Sequence, residues 1–184
     1  VEQMSHRPVA TDDERTLGAL IVRESDRLSR LLSEFLDFAR VQEARRDELD
    51  LVEIVRGAAT FAAAHPDRTE GVRVETQFPA EPLIVEGDED LLHRACFNLV
   101  LNALQAMSHP GVVTVTLRRA APADQPSGLP FHSDAACIEV RDTGGGIPPE
   151  ILDRLFEPFI TTKPGGSGLG LAIVHRAIEA HRGI

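Results

Sequence analysis

The sequence has a single lysine, no tryptophan or tyrosine, and two cysteines among its 184 residues. Cys96 and Cys137 lack the C-x-x-C spacing of a zinc or redox site, so we interpret both as small buried apolar residues in a reducing compartment. No apolar run approaches the roughly 20 residues that span a bilayer, and no signal peptide is visible. We therefore expect a cytoplasmic location, with contact to a membrane only through parts outside these residues.

Basic charge is also scarce. The 29 acidic residues outnumber the 19 basic ones, which gives a net charge of -10 and argues against nucleic acid or an anionic membrane as the main partner. A hydrophobic content of 42% with 26% charged residues is typical of a globular domain. The chain opens on Val1 within a helical-looking stretch, so we expect it to be a piece of a longer protein.

A long amphipathic helix is predicted near the start. Residues 11–14, "TDDE", form the T-x-x-E capping box, and apolar residues then recur at three- and four-residue steps to about Arg40, over some 45 Å. One apolar stripe of this length needs a hairpin partner and a second copy of the chain, with residues 1–7 ending the preceding helix. The alternative is a helix that lies across its own domain. The stripe consists of Leu17, Leu20, Ile21, Leu28, Leu31, Leu32, Phe35 and Phe38.

The remaining pattern alternates between helices and strands. The charged segment "VQEARRDELD" is interpreted as a boundary, and Asp88 is expected to cap a helix that begins near Glu89. This order predicts an α+β layered sandwich behind a helical arm. The predicted elements are a helix at 51–65, strands at 71–78 and 82–88, a helix from 89 to about 107, and an antiparallel pair at 112–119 and 136–142. The inner face of the 89–107 helix is predicted to hold Leu91, Leu92, Ala95, Leu99, Ala103 and Ala106.

The stretch "GGSGLGLAIV", which begins at Gly165, packs glycines against the start of a helix. Such glycines indicate a close backbone approach to a ligand. The spacing Gly166-x-Gly168-x-Gly170 is neither the G-x-G-x-x-G of a dinucleotide fold nor the G-x-x-x-x-G-K-[ST] of a phosphate loop. Taken alone it is a weak signal.

Three further motifs accompany it. Asn98 and Asn102 lie four residues apart on one helix face, "RDTGGGIP" follows a strand, and "LFEPFITTKP" lies between the glycine segments. In this order the set resembles the N, G1, F and G2 boxes of sensor histidine kinases. "DRLSRLLSEFLDFAR" likewise resembles the second helix of their dimerisation and phosphotransfer domain. Its sequence is similar to that of the nitrogen-regulation class. The resemblance covers nearly the whole chain.

The resemblance implies a fold and a division into domains. The fold is the ATP-binding two-layer α/β sandwich of the histidine kinase, Hsp90 and gyrase type, behind a truncated helical hairpin. Residues 1–45 would form part of the dimerisation and phosphotransfer hairpin, and residues 46–184 the ATP-binding domain. Relatives continue into further strands that complete the sheet.

The resemblance also implies roles for particular residues. Asp142 would accept a hydrogen bond from the adenine amino group, while Gly144 and Gly146 let the backbone pass the base and sugar. Asn102 would bind Mg²⁺ with support from Asn98, since Mg²⁺ prefers oxygen ligands; the simpler interpretation is an Asn pair bonded to each other. The other expected nucleotide contacts are Gln105, Phe156 of the lid, Thr161, Thr162, Lys163, Gly166, Gly168, Leu169 and Gly170. A solvated loop is the alternative for the Thr-Thr-Lys segment.

The phosphorylated histidine of the family has no match. His6 in "SHRPV" has no acidic neighbour after it and lies beside Pro8 of the predicted hairpin turn, so it is not the expected acceptor. From the length of the hairpin, we expect the acceptor about three helical turns before Val1. The expected function is transfer of the γ-phosphoryl group of Mg-ATP to that histidine, then to a response-regulator aspartate, by a homodimer joined through the hairpin. Two alternatives stay open: an ATPase or conformational switch of the wider family, which has a Glu where this chain has Asn98, and a non-catalytic dimerisation scaffold.

Overall fold

The computed structural model describes residues 12–40, 45–66, 68–121, 124, 135–163 and 166–183. Its regular elements run in the order helix, strand, helix, two strands, helix, two strands, 3₁₀ turn and helix. They are α1 Asp12–Arg40, β1 Asp47–Asp50, α2 Leu51–Ala63, β2 Val72–Gln77, β3 Ile84–Gly87, α3 Glu89–Ala106, β4 Gly111–Arg119, β5 Ala136–Asp142, a 3₁₀ turn Pro149–Arg154 and α4 Gly170–Ala180. The predicted helix start at Thr11, the end of the preceding helix predicted at residues 1–7, and His6 lie outside the described residues.

A three-stranded sheet in the order β2-β4-β5 forms one layer, with β2 parallel and β5 antiparallel to β4. Alternate residues of β4 point into the core, so Val113, Val115 and Leu117 are buried. Helices α2 and α3 cover this face and close the main core with Val55, Val100, Leu104 and others. The predicted two-layer α/β sandwich and its antiparallel strand pair are confirmed.

Helix α4 packs against α3 rather than on the sheet. A second, smaller cluster of buried residues joins them: Leu91 and Ala95 of α3 with Val174 and Ala177 of α4. Helix α3 is therefore apolar on two sides, and its inner face is wider than predicted. Cys96, Val100 and Leu104 are buried there, whereas Leu99 and Ala106 are only partly buried.

Strand β1 is absent from the sequence-based prediction, which treated this segment as a charged boundary. It pairs antiparallel with β3, with Asp47 opposite Gly87 and Asp50 opposite Ile84. Leu49 is its one apolar residue and packs against the main core. Tertiary pairing here outweighs the weak strand propensity of Asp and Glu.

Carboxylates cap the two central helices. Asp88 accepts hydrogen bonds from the backbone N–H groups of Leu91 (3.1 Å) and Arg45 (2.9 Å), as predicted for the start of α3. Burial acts to raise the pKa of Asp88, but these hydrogen bonds outweigh it and hold that pKa below its ordinary value. Asp50 caps α2 in the same way, which the sequence analysis did not predict.

The Asp50 cap also joins Leu83, the residue before β3, to the start of α2, so its removal should destabilise the fold. Its Oδ1 accepts from the N–H groups of Val52 (3.0 Å) and Leu83 (3.1 Å). Asp50→Ala should lower the free energy of unfolding by about 1–2 kcal/mol, because it leaves two donors unpaired. Urea denaturation followed by circular dichroism measures this, with Asp50→Asn as the control that keeps an accepting oxygen. Equal midpoints for the two variants would contradict the cap.

Most of the apolar stripe of α1 that the structure describes is exposed, although the helix contacts α4 and Leu31 is partly buried. Leu17 is 59% exposed and Leu28 66% exposed, which is not the arrangement of a helix that lies across its own domain. Leu20, Ile21, Val22, Leu32, Phe35 and Leu36 are exposed as well. Among the described helices, none combines the length and the apolar composition that crossing a bilayer requires.

The two thiols differ in burial. Cys96 is buried as predicted, while Cys137, on the edge strand β5, is only partly buried, so that prediction was too strong. Burial raises the pKa of Cys96 to about 12 and also raises the pKa of Cys137. Neither thiol readily forms the reactive thiolate.

Candidate functional site

One stripe of α3 carries the predicted amide side chains. Asn102, Gln105 and Ala106 lie four, seven and eight residues after Asn98, which places all four along one side of the helix. All four are partly buried, at the boundary between core and surface. The Asn98 side chain is oriented by its own helix, because Nδ2 donates to the Arg94 carbonyl oxygen at 3.0 Å. Mutual hydrogen bonding of the two asparagines is thus not what holds Asn98.

The turn after β5 reaches the C-terminal end of this stripe. Asp142 is the last residue of β5, and its Oδ1 accepts from the Gly144 N–H at 2.8 Å. A Cβ at Gly144 would lie 2.7 Å from the Ala106 carbonyl oxygen, so only glycine allows the turn to approach α3 this closely. Gly146 has a φ of +73° and open space around it. The left-handed backbone conformation, and not a close neighbour, therefore explains why residue 146 is a glycine.

Lys163 contacts the middle of the stripe. Its Nζ donates to Asn102 Oδ1 at 2.9 Å and to Gln105 Oε1 at 2.8 Å. Partial burial lowers the pKa of Lys163. Thr161 supports the turn that carries the lysine, because its Oγ1 accepts from the Lys163 N–H at 3.1 Å. Thr162 is exposed.

The segment that carries Lys163 is closed at its base. The Phe159 N–H donates to the Gly168 carbonyl oxygen at 3.0 Å, and both residues have a φ of about +69°. A Cβ at Gly168 would lie 2.5 Å from the Phe159 carbonyl carbon. Phe159 is thus a non-glycine residue in the left-handed region, which is uncommon and marks a constrained turn. Gly166 donates its N–H to the Lys163 carbonyl oxygen at 3.1 Å.

The start of α4 lies against the other end of the stripe. A Cβ at Gly170 would lie 3.2 Å from Asn98 Oδ1 and 3.5 Å from Asn102 Nδ2. Leu169, which precedes the helix, is buried and its side chain caps nothing, so it anchors the turn. Free N–H groups and the positive end of the helix dipole make such a terminus suited to anions.

The structure therefore brings three distant segments to one stripe: the Asp142–Gly144 turn, Lys163, and the glycine turn that opens α4. Phe156 is placed elsewhere, since its ring stacks on that of His175 of α4 with centroids 5.2 Å apart. The sequence analysis missed two participants. Ala106 contributes only its backbone oxygen, which leaves no side-chain signal, and the Ser167 Oγ accepts from the Leu169 N–H at 3.2 Å.

For a metal ion, the stripe offers neutral amide oxygens as ligands rather than a group of charged side chains. Within the part of the chain that the structure describes, no group of three or more His, Cys, Asp or Glu side chains is placed to hold a metal ion. Amide oxygens suit a hard cation that takes most of its other ligands from water or phosphate, as Mg²⁺ does. They do not suit zinc, which prefers thiolate and imidazole.

Comparison with known proteins identifies a family. Residues 87–184, more than half of the chain, match the family described as histidine kinase-, DNA gyrase B-, and HSP90-like ATPases. Sensor histidine kinase ZraS of Escherichia coli is 31% identical over 181 residues, covering 97% of this chain and 36% of that protein. Sporulation kinase A of Bacillus subtilis is 30% identical over 166 residues, covering 90% and 25% respectively.

Solved structures give the same result. The structure of full-length ShkA in complex with AMPPNP matches with a TM-score of 0.70 at 26% identity, over 94% of this chain and 35% of that one. The mycobacterial sensor histidine kinase MprB matches with a TM-score of 0.58 at 30% identity, over 74% and 80%.

The chain belongs to the histidine kinase, DNA gyrase B and HSP90-like ATPase family, and its relatives by sequence include the sensor histidine kinase ZraS. It spans about a third of the length of the curated relative named first.

Proposed function

We propose that this chain is the nucleotide-binding core of a sensor histidine kinase, with residues 46–184 as the ATP-binding domain and residues 1–45 as part of its dimerisation and phosphotransfer hairpin. The main support is the convergence on α3. The Asp142–Gly144 turn, Lys163 and Gly170 come from three separate segments, yet each reaches the stripe of α3 that carries the amides. A purine triphosphate with one magnesium ion offers a base for the Asp142 turn, a cation for the amide oxygens that Lys163 contacts, and an anion for the start of α4.

The proposed roles follow from the chemistry of each group. Asp142 accepts from the adenine amino group through its carboxylate, which selects adenine over guanine because guanine has a carbonyl there. The N–H groups at the start of α4 receive the phosphates. Asn102, with Asn98 beside it, supplies amide oxygen to Mg²⁺, and the ion adds charge neutralisation at the transferring phosphoryl group.

The reaction proposed for the whole protein is phosphoryl transfer. A histidine imidazole nitrogen forms a bond to the γ-phosphorus, the bond from that phosphorus to the bridging oxygen breaks, and ADP leaves. The phosphoryl group then passes to an aspartate of a response regulator. The core described here contributes by positioning and charge stabilisation rather than by a covalent step of its own.

The exposed stripe of α1 supports the proposed dimer. Side chains such as Leu28, which is 66% exposed, form a face that a second copy of the chain would cover. The alternative of an ATPase switch is less well supported, because Asn98 has an amide where that class places a carboxylate to activate water.

Calorimetric titration with ATP, with and without Mg²⁺, tests the binding proposal. We expect weak binding that strengthens when Mg²⁺ is added. We also expect no label on this chain alone from radiolabelled ATP, because it has no match to the acceptor box. Labelling that disappeared in His6→Gln would show that His6 is the acceptor and that this part of the proposal is wrong.

A further inference from the structure

The only lysine of the chain points its ammonium group at the amides of α3. Lys163 Nζ donates to both Asn102 Oδ1 and Gln105 Oε1, at 2.9 and 2.8 Å. These partners are 61 and 58 residues away in sequence, and the lysine side chain is partly buried. Two bonds under 3 Å to one helix stripe define a specific position for the ammonium group, unlike that of a solvated surface lysine.

The backbone around the lysine is restrained as well. The Lys163 N–H donates to Thr161 Oγ1 at 3.1 Å and its carbonyl oxygen accepts from the Gly166 N–H at 3.1 Å. The Phe159–Gly168 hydrogen bond closes the base of the same segment at 3.0 Å. The ammonium therefore reaches the stripe from a turn that local bonds hold in place.

Asn102 Oδ1 is the same oxygen that the proposed function gives to magnesium. An ammonium group and Mg²⁺ both need this oxygen, and two cations in contact with one neutral oxygen repel each other strongly. No carboxylate is among the hydrogen-bond partners of Lys163 within the described residues to offset that repulsion. Occupation by one cation thus excludes the other.

We propose that Lys163 fills the cation position of this site when no nucleotide is bound, and that magnesium enters with its nucleotide by displacing the ammonium group from Asn102 and Gln105. The inference rests on the proposed function, because it concerns the metal of that same site. Lys163 is then a positioning residue, because its contacts set the concentration of Mg²⁺ that is needed to strengthen nucleotide binding. The incoming phosphates are the anions to which the displaced ammonium group can move.

The test is the Mg²⁺ concentration at which the gain in nucleotide affinity is half complete, measured by calorimetry with ADP over a series of Mg²⁺ concentrations. In Lys163→Met this midpoint should fall by about tenfold, since the competing hydrogen bonds are worth roughly 0.5–1.5 kcal/mol each and 1.4 kcal/mol is tenfold. Gln105→Met removes one acceptor but keeps the ammonium group, so its midpoint should fall by about threefold. Arg73→Met, an exposed change on β2, removes the same charge elsewhere and should leave the midpoint unchanged.

The side-chain amide signals of Asn102 and Gln105 in the nucleotide-free protein give an independent measurement by nuclear magnetic resonance. They should shift in Lys163→Met and stay in place in Arg73→Met. These signals also check each variant for folding.

Each result decides between the alternatives. If Gln105→Met keeps the wild-type midpoint while Lys163→Met lowers it, the lysine acts from the phosphates and not from α3, and the inference is wrong. An unchanged or higher midpoint in Lys163→Met, or unshifted amide signals, also overturns it. If the wild-type chain binds no ADP at any Mg²⁺ concentration, the proposed function itself fails; if it binds ADP and only the midpoints are insensitive, the function stands and this inference alone falls.

Discussion

Replacing Asp142 by asparagine should weaken ATP binding by about ten- to a hundredfold. A hydrogen bond to a charged group contributes roughly 1.5–3 kcal/mol, and 1.4 kcal/mol corresponds to a factor of ten. Asp142 Oδ1 already accepts from the Gly144 N–H at 2.8 Å. An asparagine can keep that bond only by turning its NH₂ group toward the base, where the adenine amino group is also a donor.

The same substitution should change the choice of base while leaving the fold intact. The guanine carbonyl can accept from the new NH₂ group, so the preference for ATP over GTP should narrow or invert. Asp47→Asn, an exposed change on β1, removes one negative charge on the other sheet and is the control. Calorimetry with both nucleotides measures the two affinities. Wild-type affinity for ATP in Asp142→Asn would refute the assignment of the base-binding end of the site.

Local rules account for much of the fold that the sequence predicted. The capping of α3 by Asp88 depends on residues three positions apart, and the burial of Val113, Val115 and Leu117 depends on strand alternation. The shared side of Asn98 and Asn102 follows from helix geometry alone. Each of these features is decided within a few residues of sequence.

Other features depend on partners far along the chain. Strand β1 exists because Asp47–Asp50 pairs with β3, and the sequence "DELD" carries little strand propensity of its own. The contact of Lys163 with Asn102 crosses 61 residues. No periodicity or motif predicts which amide a distant ammonium group will reach.

The sequence predicted which residues belong to the site, but not which of them contact each other. Gly144 was expected to let the backbone pass a ligand, whereas in the structure its nearest restriction is the Ala106 carbonyl oxygen of α3. A glycine can therefore be needed for packing within the protein at the same position where a ligand is proposed. Substitution experiments at such glycines must separate the two causes.

Gly168 is a position where the role of a glycine in the fold can be separated from its role in binding. Among glycine-to-alanine substitutions in the glycine segments, Gly168→Ala should have the largest effect. Its φ of +69° disfavours every L side chain, and the new Cβ would lie 2.5 Å from the Phe159 carbonyl carbon. Backbone cannot give way as a flexible side chain can, so the Phe159–Gly168 hydrogen bond should break and the turn that holds Lys163 should open. We expect a loss of nucleotide affinity of about tenfold or more, since left-handed backbone alone costs roughly 1–2 kcal/mol and tenfold is 1.4 kcal/mol.

Two other glycines serve as graded controls for that loss. At Gly166 the Cβ would lie 2.8 Å from Thr161 Oγ1, a side-chain atom that can rotate away, so Gly166→Ala should cost less than Gly168→Ala. At Gly145 nothing lies within 4 Å, so Gly145→Ala should leave both stability and affinity near the wild-type values. Urea unfolding of all three variants, beside their ADP affinities, shows whether the loss is local to the turn or global. If Gly168→Ala bound ADP as tightly as Gly145→Ala, the closed turn between Phe159 and Gly168 would have no part in holding the nucleotide, because its geometry cannot survive an added Cβ.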